Sequence, residues 1–128
     1  MRILGIDYGI KKIGLAVGVT DVKIATPLTV ISNSNNLLDL IIKFIADEGI
    51  KEVVVGRPLG DSQSMAEQQD GVDHFVNSLN DVLDIPIKVY EEGYTSSEAK
   101  RMMQESGLRG EDDAIAAMLM LQRYLDSL

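Results

Sequence analysis

The sequence predicts an α/β fold in which helices flank a mixed five-stranded sheet, and three observations lead to this prediction. The chain opens with two short apolar runs around a glycine-containing turn, a pattern typical of a β-hairpin. A third apolar run follows at residues 24–31, and after it helix-like and strand-like segments alternate. Strands that are reached through helices pair in parallel, and the connecting helices cover the faces of the sheet.

The first three runs predict a meander. Residues 2–6 are too apolar to face water, so they predict a central strand that ends at Asp7. Residues 13–17 predict its hairpin partner, and Pro27 places the third strand at a sheet edge.

The rest of the chain predicts alternating elements in the overall order β-β-β-α-β-α-β-α-α. A polar segment at 32–36 precedes the first helix, and Gly49 ends it. The other predicted elements are a buried strand at 52–56, a helix at 63–82 with an apolar face of Val72, Phe75, Val76 and Leu79, a strand at 87–90, a helix from the capping-box segment 95–98 to about 106, and a last helix from Asp112 to near Leu125.

Length and composition favour one globular domain over residues 1–128. The 45% hydrophobic and 25% charged residues suit a chain with a substantial core. No apolar run approaches the roughly 20 residues that span a bilayer, and no signal peptide precedes the first strand, so we expect a cytoplasmic protein without a membrane partner. The absence of cysteine excludes disulfides, zinc-thiolate sites and a cysteine nucleophile. The net charge of −8 argues against broad, non-specific binding of nucleic acid but permits a local basic groove.

Three acidic positions are candidates for one site at the rim of the sheet. Asp7 ends the first strand, Glu91 or Glu92 ends the last strand, and Asp113 lies in the first turn of the last helix. Together they could bind two divalent ions, and oxygen ligands suit Mg²⁺ or Mn²⁺. Each acid also has a structural interpretation: Asp7 as a cap of the following turn, Asp113 as a partner of the helix dipole, and the glutamates as a solvated strand end.

The last helix is predicted to bring Asp113 to that rim. Asp113, Ala116, Ala117, Met120 and Tyr124 share one face by helical spacing. The small Ala116 and Ala117 side chains would let this face lie close to the sheet.

Several segments together resemble the YqgF/RuvX family. They are residues 5–17 (GIDYGIKKIGLAV), 54–59 (VVGRPL), 91–96 (EEGYTS), 113–117 (DAIAA) and 121–125 (LQRYL). This family has an RNase H-like fold and is described as pre-16S rRNA nucleases or Holliday junction resolvases. The resemblance spans the whole chain and implies that Asp7, Glu92 and Asp113 are the catalytic, metal-binding acids.

The third motif departs most from the family pattern. Gly93 stands where the family has an arginine, and Glu91 stands where it has an aspartate. Lys12 replaces an arginine, which keeps the charge but loses the two-pronged geometry of a guanidinium group. Arg57 occupies a position that is usually apolar and could substitute for the missing arginine.

The expected function is metal-dependent hydrolysis of phosphodiester bonds with Mg²⁺ or Mn²⁺. The resemblance favours structured RNA, the 5′ region of pre-16S rRNA, as substrate, with branched DNA as the close alternative. Residues expected to contact nucleic acid are Lys11, Lys12, Arg57, Thr95 and Ser96. A non-catalytic nucleic-acid-binding domain is a further hypothesis, and an actin-like ATP-binding protein is disfavoured because the chain is too short for two lobes. We expect a monomer or a homodimer, since a resolvase that acts symmetrically needs two sites.

Overall fold

The computed structural model describes residues 1–92 and 112–128, without the side chains of Glu92 and Asp112. The predicted helix at 95–106, together with Gly93, Thr95 and Ser96, lies outside the described residues. The elements are β1 (Arg2–Asp7), β2 (Lys12–Val19), β3 (Ile24–Ser32), α1 (Leu37–Glu48), β4 (Ile50–Pro58), α2 (Gln63–Val82), β5 (Ile87–Glu92) and α3 (Asp112–Asp126).

The five strands form one mixed sheet in the order β3-β2-β1-β4-β5. β1 pairs with β2 and β2 with β3 in antiparallel fashion, whereas β1 pairs with β4 and β4 with β5 in parallel. The predictions of a mixed five-stranded sheet, a central first strand and an edge strand containing Pro27 are therefore confirmed. The carboxyl ends of β1, β4 and β5 lie at the same edge of the sheet, which gathers the residues that follow them.

Helices α1 and α2 cover one face of the sheet. That face carries branched side chains from alternate strand positions, and α2 buries Val72, Phe75 and Leu79 against them while Val76 is half-buried. The predicted apolar face of α2 is thus confirmed, and its polar first half is also helical. The remaining buried members of this cluster are Leu4, Ile6, Ile13, Leu15, Val17, Leu37, Ile41, Ile50, Val53 and Val55.

Helix α3 covers the opposite face and lies very close to the hairpin. A Cβ atom on Gly14 would be 1.9 Å from the carbonyl oxygen of Asp113, and one on Gly5 would be 2.9 Å from Cβ of Leu121. Only a glycine leaves room for the helix at these strand positions. The buried cluster on this face consists of Ile3, Ala16, Ala25, Val54, Ala117, Met120, Leu121 and Leu125.

The residues that permit this close approach differ from those predicted. Ala117 faces the sheet as expected, but Ala116 belongs to a separate buried cluster with Ile115. The prediction for Ala116 was wrong because the space between helix and sheet comes mainly from the strand glycines. Helical spacing alone identifies a face but not the strand positions that the face meets.

Two helix ends illustrate which local signals were reliable. Gly49 adopts a left-handed conformation, with φ of 63°, directly after α1, as its predicted role as terminator requires. Asn36 precedes α1 but makes no side-chain capping hydrogen bond.

In the part of the chain that the structure describes, no helix combines the length and the apolar character that crossing a membrane requires.

Candidate active site

Asp7 ends the central strand between two glycines. It pairs with Gly14 of β2 on one side and with Gly56 of β4 on the other. Neither neighbour has a side chain, and on the Gly14 side the backbone of Asp113 takes the place that a side chain would fill. The carboxylate is held by a rigid central strand and lies at the edge of the sheet where β1 and β4 end.

Asp113 reaches the same place through the packing of α3. Its carbonyl oxygen lies against Gly14, the residue that pairs with Asp7, so the first turn of α3 is fixed next to the end of β1. Both Asp7 and Asp113 are half-buried. The structure therefore brings together two of the three predicted acids, from the two ends of the described chain.

The environment of Asp7 strongly disfavours its charged form. Burial, and to a smaller extent the negative charge of Asp113, raise the pKa of Asp7 from 3.8 to about 7. Within the described residues the Asp7 carboxylate accepts no hydrogen bond and forms no ion pair. The alternative in which Asp7 caps the following turn is therefore wrong. A desolvated acid beside a second acid is unfavourable for folding and is typical of catalytic and metal-binding sites.

The turn after Asp7 is held by Asn33, the first residue after β3. The Asn33 side-chain amide donates to the Tyr8 hydroxyl at 3.0 Å and to the Gly9 carbonyl at 2.9 Å. Its backbone N–H donates to the Lys11 carbonyl at 2.9 Å. The Tyr8 ring also packs against Phe75 of α2, with 5.0 Å between ring centroids. These contacts fix the chain immediately after the catalytic candidate Asp7.

Sequence reasoning missed Asn33 as a member of the site. It interpreted the polar segment 32–36 only as a signal for the start of α1. No local pattern marks an asparagine that bonds to a turn more than 20 residues away, because the partners meet only through the pairing of β2 with β3.

Lys11 and Lys12 lie on the turn and at the first position of β2, and both are exposed. Lys12 is two residues before Gly14, so this pair of cations lies at the same edge of the sheet as Asp7. Exposed ammonium groups beside an acidic pair are suited to contact the phosphates of a nucleic-acid strand.

Arg57 projects towards α2, on the opposite face of the sheet from α3. Its Nε lies 3.0 Å from Oδ1 of Asp73, and its Nη2 lies 3.3 Å from Oδ2 of the same residue. Arg57 follows Gly56, the parallel neighbour of Asp7. Arg57, which was predicted to contact nucleic acid, is thus close to Asp7 in the strand register, but its guanidinium group is bound to the Asp73 carboxylate.

The two glutamates at the end of β5 occupy distinguishable positions. Glu91 pairs with Arg57 and is exposed, whereas Glu92 pairs with Pro58, the last residue of β4. Among the side chains that the structure describes, no group of three or more potential metal ligands occurs. Asp7 and Asp113 are therefore the pair that the geometry shows, and Thr95 and Ser96 lie outside the described residues.

Comparison with known proteins shows the family of this chain. The family model described as RuvX, Holliday junction resolvase, matches residues 1–127. A relative from Bacteroides fragilis, provisionally named a pre-16S rRNA nuclease, is 35% identical over 98% of this chain and 96% of its own. A relative of the same name from Phocaeicola vulgatus is 38% identical over the same shares.

Two solved structures share the fold at low sequence identity. Thermus thermophilus RuvC, in complex with a Holliday junction substrate, has a TM-score of 0.65 and is 16% identical, with 99% of this chain and 95% of that one covered. The fowlpox virus Holliday junction resolvase has a TM-score of 0.63 and is 13% identical, and each chain is covered completely. They confirm the predicted RNase H-like fold. From the family match and the curated relatives, this chain belongs to the RuvX Holliday junction resolvase family.

Proposed function

We propose that this protein is a metal-dependent nuclease that hydrolyses phosphodiester bonds at the edge of the sheet where β1 ends. The observation that carries the proposal is the pair Asp7 and Asp113, two half-buried acids close enough for the charge of one to raise the pKa of the other. The curated relatives are named as nucleases, which supports the same reaction. We also propose that residues 1–128 form one domain of this kind.

The donor set fits Mg²⁺ or Mn²⁺. The described acids supply carboxylate oxygens, which both cations prefer, and the chain has no cysteine. We propose Glu92 as the third ligand rather than Glu91. Alternate positions of a strand share a face, so position 92 belongs to the same row as Tyr90, which packs with the cluster beneath α3. Position 91 belongs instead to the row of Val89 and lies opposite Arg57.

Each part of the site has a separate task in the proposed reaction. Divalent cations, when bound, would offset the charge of the phosphate and lower the pKa of a water molecule. The carboxylates of Asp7, Asp113 and Glu92 would hold those cations. The turn fixed by Asn33 keeps Asp7 in place, so little reorganisation is needed when substrate arrives.

Substrate would be held by cations around this edge. Lys11, Lys12 and Arg57 are proposed to contact phosphates on either side of the bond that is cut, together with Thr95 and Ser96. Because Asp7 has a pKa of about 7 without metal, uptake of a cation below that pH must displace a proton. Metal-dependent cleavage should therefore weaken as the pH falls below about 7.

The proposed substrate is pre-16S rRNA, because the curated relatives are named for it, and the family resemblance of the sequence favours structured RNA in its 5′ region. Branched DNA is the second candidate, since the family is described as Holliday junction resolvases. A symmetric cut of a four-way junction needs two active sites, which would require a homodimer. Cleavage of RNA alone is compatible with a monomer.

A cleavage assay with matched variants tests this proposal. Labelled pre-rRNA leader, single-stranded RNA and a four-way DNA junction would be incubated with Mg²⁺ or Mn²⁺ and either wild type, Asp7→Asn or Asp47→Asn. Asp47 is exposed on α1 and serves as the matched control. We expect Asp7→Asn to lose at least about 100-fold in rate, because bound metal supplies several kcal/mol of transition-state stabilisation. If wild type and Asp7→Asn bind these substrates equally and cut none of them, the chain is a binding domain and the proposal fails.

A further inference from the structure

Arg57 lies at the edge of the sheet where β1 ends, and its guanidinium group is bound to the carboxylate of Asp73. It follows Gly56, which pairs with Asp7, so the two residues belong to adjacent strands at neighbouring register positions. Its guanidinium forms a two-pronged contact with Asp73 at 3.0 and 3.3 Å. A guanidinium uses the same flat geometry to bind carboxylate and phosphate groups.

Three acids surround this guanidinium. Asp73 contacts it directly, Asp70 lies one turn earlier on α2, and Glu91 is its partner in β5. The hydrogen bond to Asp73, with the charges of Glu91 and Asp70, raises the pKa of Arg57 despite an opposing effect of desolvation. Locally, the one cation is more than neutralised.

The contact between Arg57 and Asp73 can open. The Asp73 side chain is 51% exposed and that of Arg57 is 26% exposed. Within the described residues each makes no other hydrogen bond or ion pair. Exposed ion pairs of this kind are weak, so another anion can compete for the guanidinium.

We propose that Arg57 binds a phosphate of the nucleic-acid strand and that Asp73 competes with this phosphate, which limits the affinity of the free protein for nucleic acid. The inference rests on the proposed nucleic-acid substrate. Since both anions need the Nε–H and Nη2–H donors of Arg57, only one can hold the two-pronged contact at a time. Asp73 is then a specificity-determining residue, because only a strand that other contacts hold at this edge supplies a phosphate able to displace it.

A different role for Asp73 predicts the opposite sign. If Asp73 orients Arg57 towards the phosphate, its removal lowers affinity. If Asp73 only adds negative charge, its removal raises affinity by the same factor as removal of any nearby acid. That gain in affinity would then not depend on Arg57.

A double-mutant cycle separates these roles. Binding of a fluorescein-labelled four-way DNA junction and of a labelled pre-rRNA leader would be measured by anisotropy in EDTA, over a range of salt, for wild type, Asp73→Asn, Arg57→Gln and the double variant. Asp81→Asn is the control, since Asp81 is exposed on the same helix and has the same charge. Thermal unfolding of each variant would verify that it is folded.

We expect Asp73→Asn to bind about twofold to fivefold more tightly, in line with the loss of one exposed ion pair. Arg57→Gln should bind more weakly, with a salt dependence for the junction reduced by about 0.9 in log–log slope, as expected for one lost phosphate contact. In the double variant the gain from Asp73→Asn should vanish. Arg57→Lys should keep most of the salt dependence, because it keeps the positive charge. Adding Asp73→Asn to this variant should give little of the gain, because lysine lacks the two-pronged geometry of a guanidinium group.

Four results would overturn the inference: weaker binding by Asp73→Asn, an equal gain from Asp81→Asn, a gain that persists without Arg57, or binding of neither probe by wild type. Binding is measured in EDTA and is therefore independent of cleavage. A protein that binds nucleic acid in this assay but cuts none in the cleavage assay would confirm the role of Asp73 and refute the proposed nuclease activity.

Discussion

The two faces of the sheet are built in different ways. Beneath α1 and α2, branched and aromatic side chains fill the space between helix and strand. Beneath α3, Gly5, Gly14 and Gly18 let the helix touch the strands themselves. A thick layer of side chains tolerates small shifts of a helix, whereas direct contact with a strand backbone does not. The second face is therefore the one that can hold an acid such as Asp113 at a defined place beside Asp7.

The polar groups follow the same division. Glu52 is the one charged residue among those the structure describes that is buried, with 9% exposure, and it belongs to the same row of β4 as Gly56, beneath α3. Asp7 lies in the corresponding row of β1. Both faces thus bury apolar side chains, and the face beneath α3 carries the carboxylates of Glu52 and Asp7 as well.

Gly14→Ala is the strongest test of this comparison. The new Cβ would lie 1.9 Å from the Asp113 carbonyl oxygen, so α3 must move or the strand must bend. We expect a loss of about 3 kcal/mol in the free energy of unfolding, at the upper end for overpacking. Urea denaturation would measure this loss. The proposed metal site predicts that Mn²⁺ raises the melting temperature of wild type, and Gly14→Ala should lose this increase.

Two controls show whether the position, rather than the added methyl group, matters. In Gly18→Ala the nearest atoms are flexible side-chain carbons of Leu125 and Leu121 at 3.0 and 3.1 Å, so a smaller loss is expected. Leu79→Ala, on the thick face, should destabilise by about 2 to 5 kcal/mol yet keep the response to Mn²⁺. Equal losses for Gly14→Ala and Gly18→Ala would contradict the importance of direct backbone contact.

Asp7→Asn should stabilise the metal-free protein at alkaline pH. Because the pKa of Asp7 is raised from 3.8 to about 7, the native state holds a proton between these two pH values that the unfolded state has already lost. The contribution of Asp7 to the free energy of unfolding of wild type therefore falls as the pH rises from about 4 to about 7. The full shift corresponds to about 4 kcal/mol at about 1.4 kcal/mol per pKa unit, and partial access to water reduces our expectation to about 2 kcal/mol.

Urea denaturation in EDTA across this pH range would check the prediction. The asparagine variant should equal wild type near pH 4 and exceed it above about pH 7. Saturating Mn²⁺ should reverse the order, since only wild type gains from the metal. A variant with the same advantage at every pH would show that the charge of Asp7 is not the cause.

Tyr124→Phe tests the buried polar contact on the same face and should have the smallest effect. The Tyr124 hydroxyl donates to Oε2 of Glu52 at 3.2 Å, and burial, followed by the charge of Glu52, raises the pKa of Tyr124. Removal of the donor leaves a buried carboxylate with one partner fewer, which costs about 1 kcal/mol. Chemical denaturation of Tyr124→Phe and Tyr90→Phe would be compared, because Tyr90 shares the ring contact but makes no described hydrogen bond. A similar loss in both variants would show that the hydroxyl is irrelevant.

Local patterns predicted most of the fold but only part of the site. The apolar run before Asp7, Pro27 in the edge strand and the apolar face of α2 are properties of neighbouring residues, so they can be recognised in the sequence. The meeting of Asp7 with Asp113 was predicted from topology and helical spacing. Of the two small residues predicted to permit it, Ala117 faces the sheet, whereas Ala116 belongs to a separate cluster.

What the sequence did not reveal depends on contacts between distant segments. Asn33 bonds to a turn across a strand pair, and Asp73 meets Arg57 because α2 crosses the end of β4. A polar residue in a loop and an acid on an exposed helix face are common, and nothing nearby distinguishes these two from others. Only the assembled register shows which groups they face.

The contact of Gly14 with Asp113 also has a consequence for folding. It joins residues about 100 positions apart, and contacts that close such long loops form late. A chain that has assembled the α1–α2 face alone therefore contains Asp7 without its acidic neighbour. The acid pair exists only once α3 has docked, so formation of the site coincides with completion of the fold.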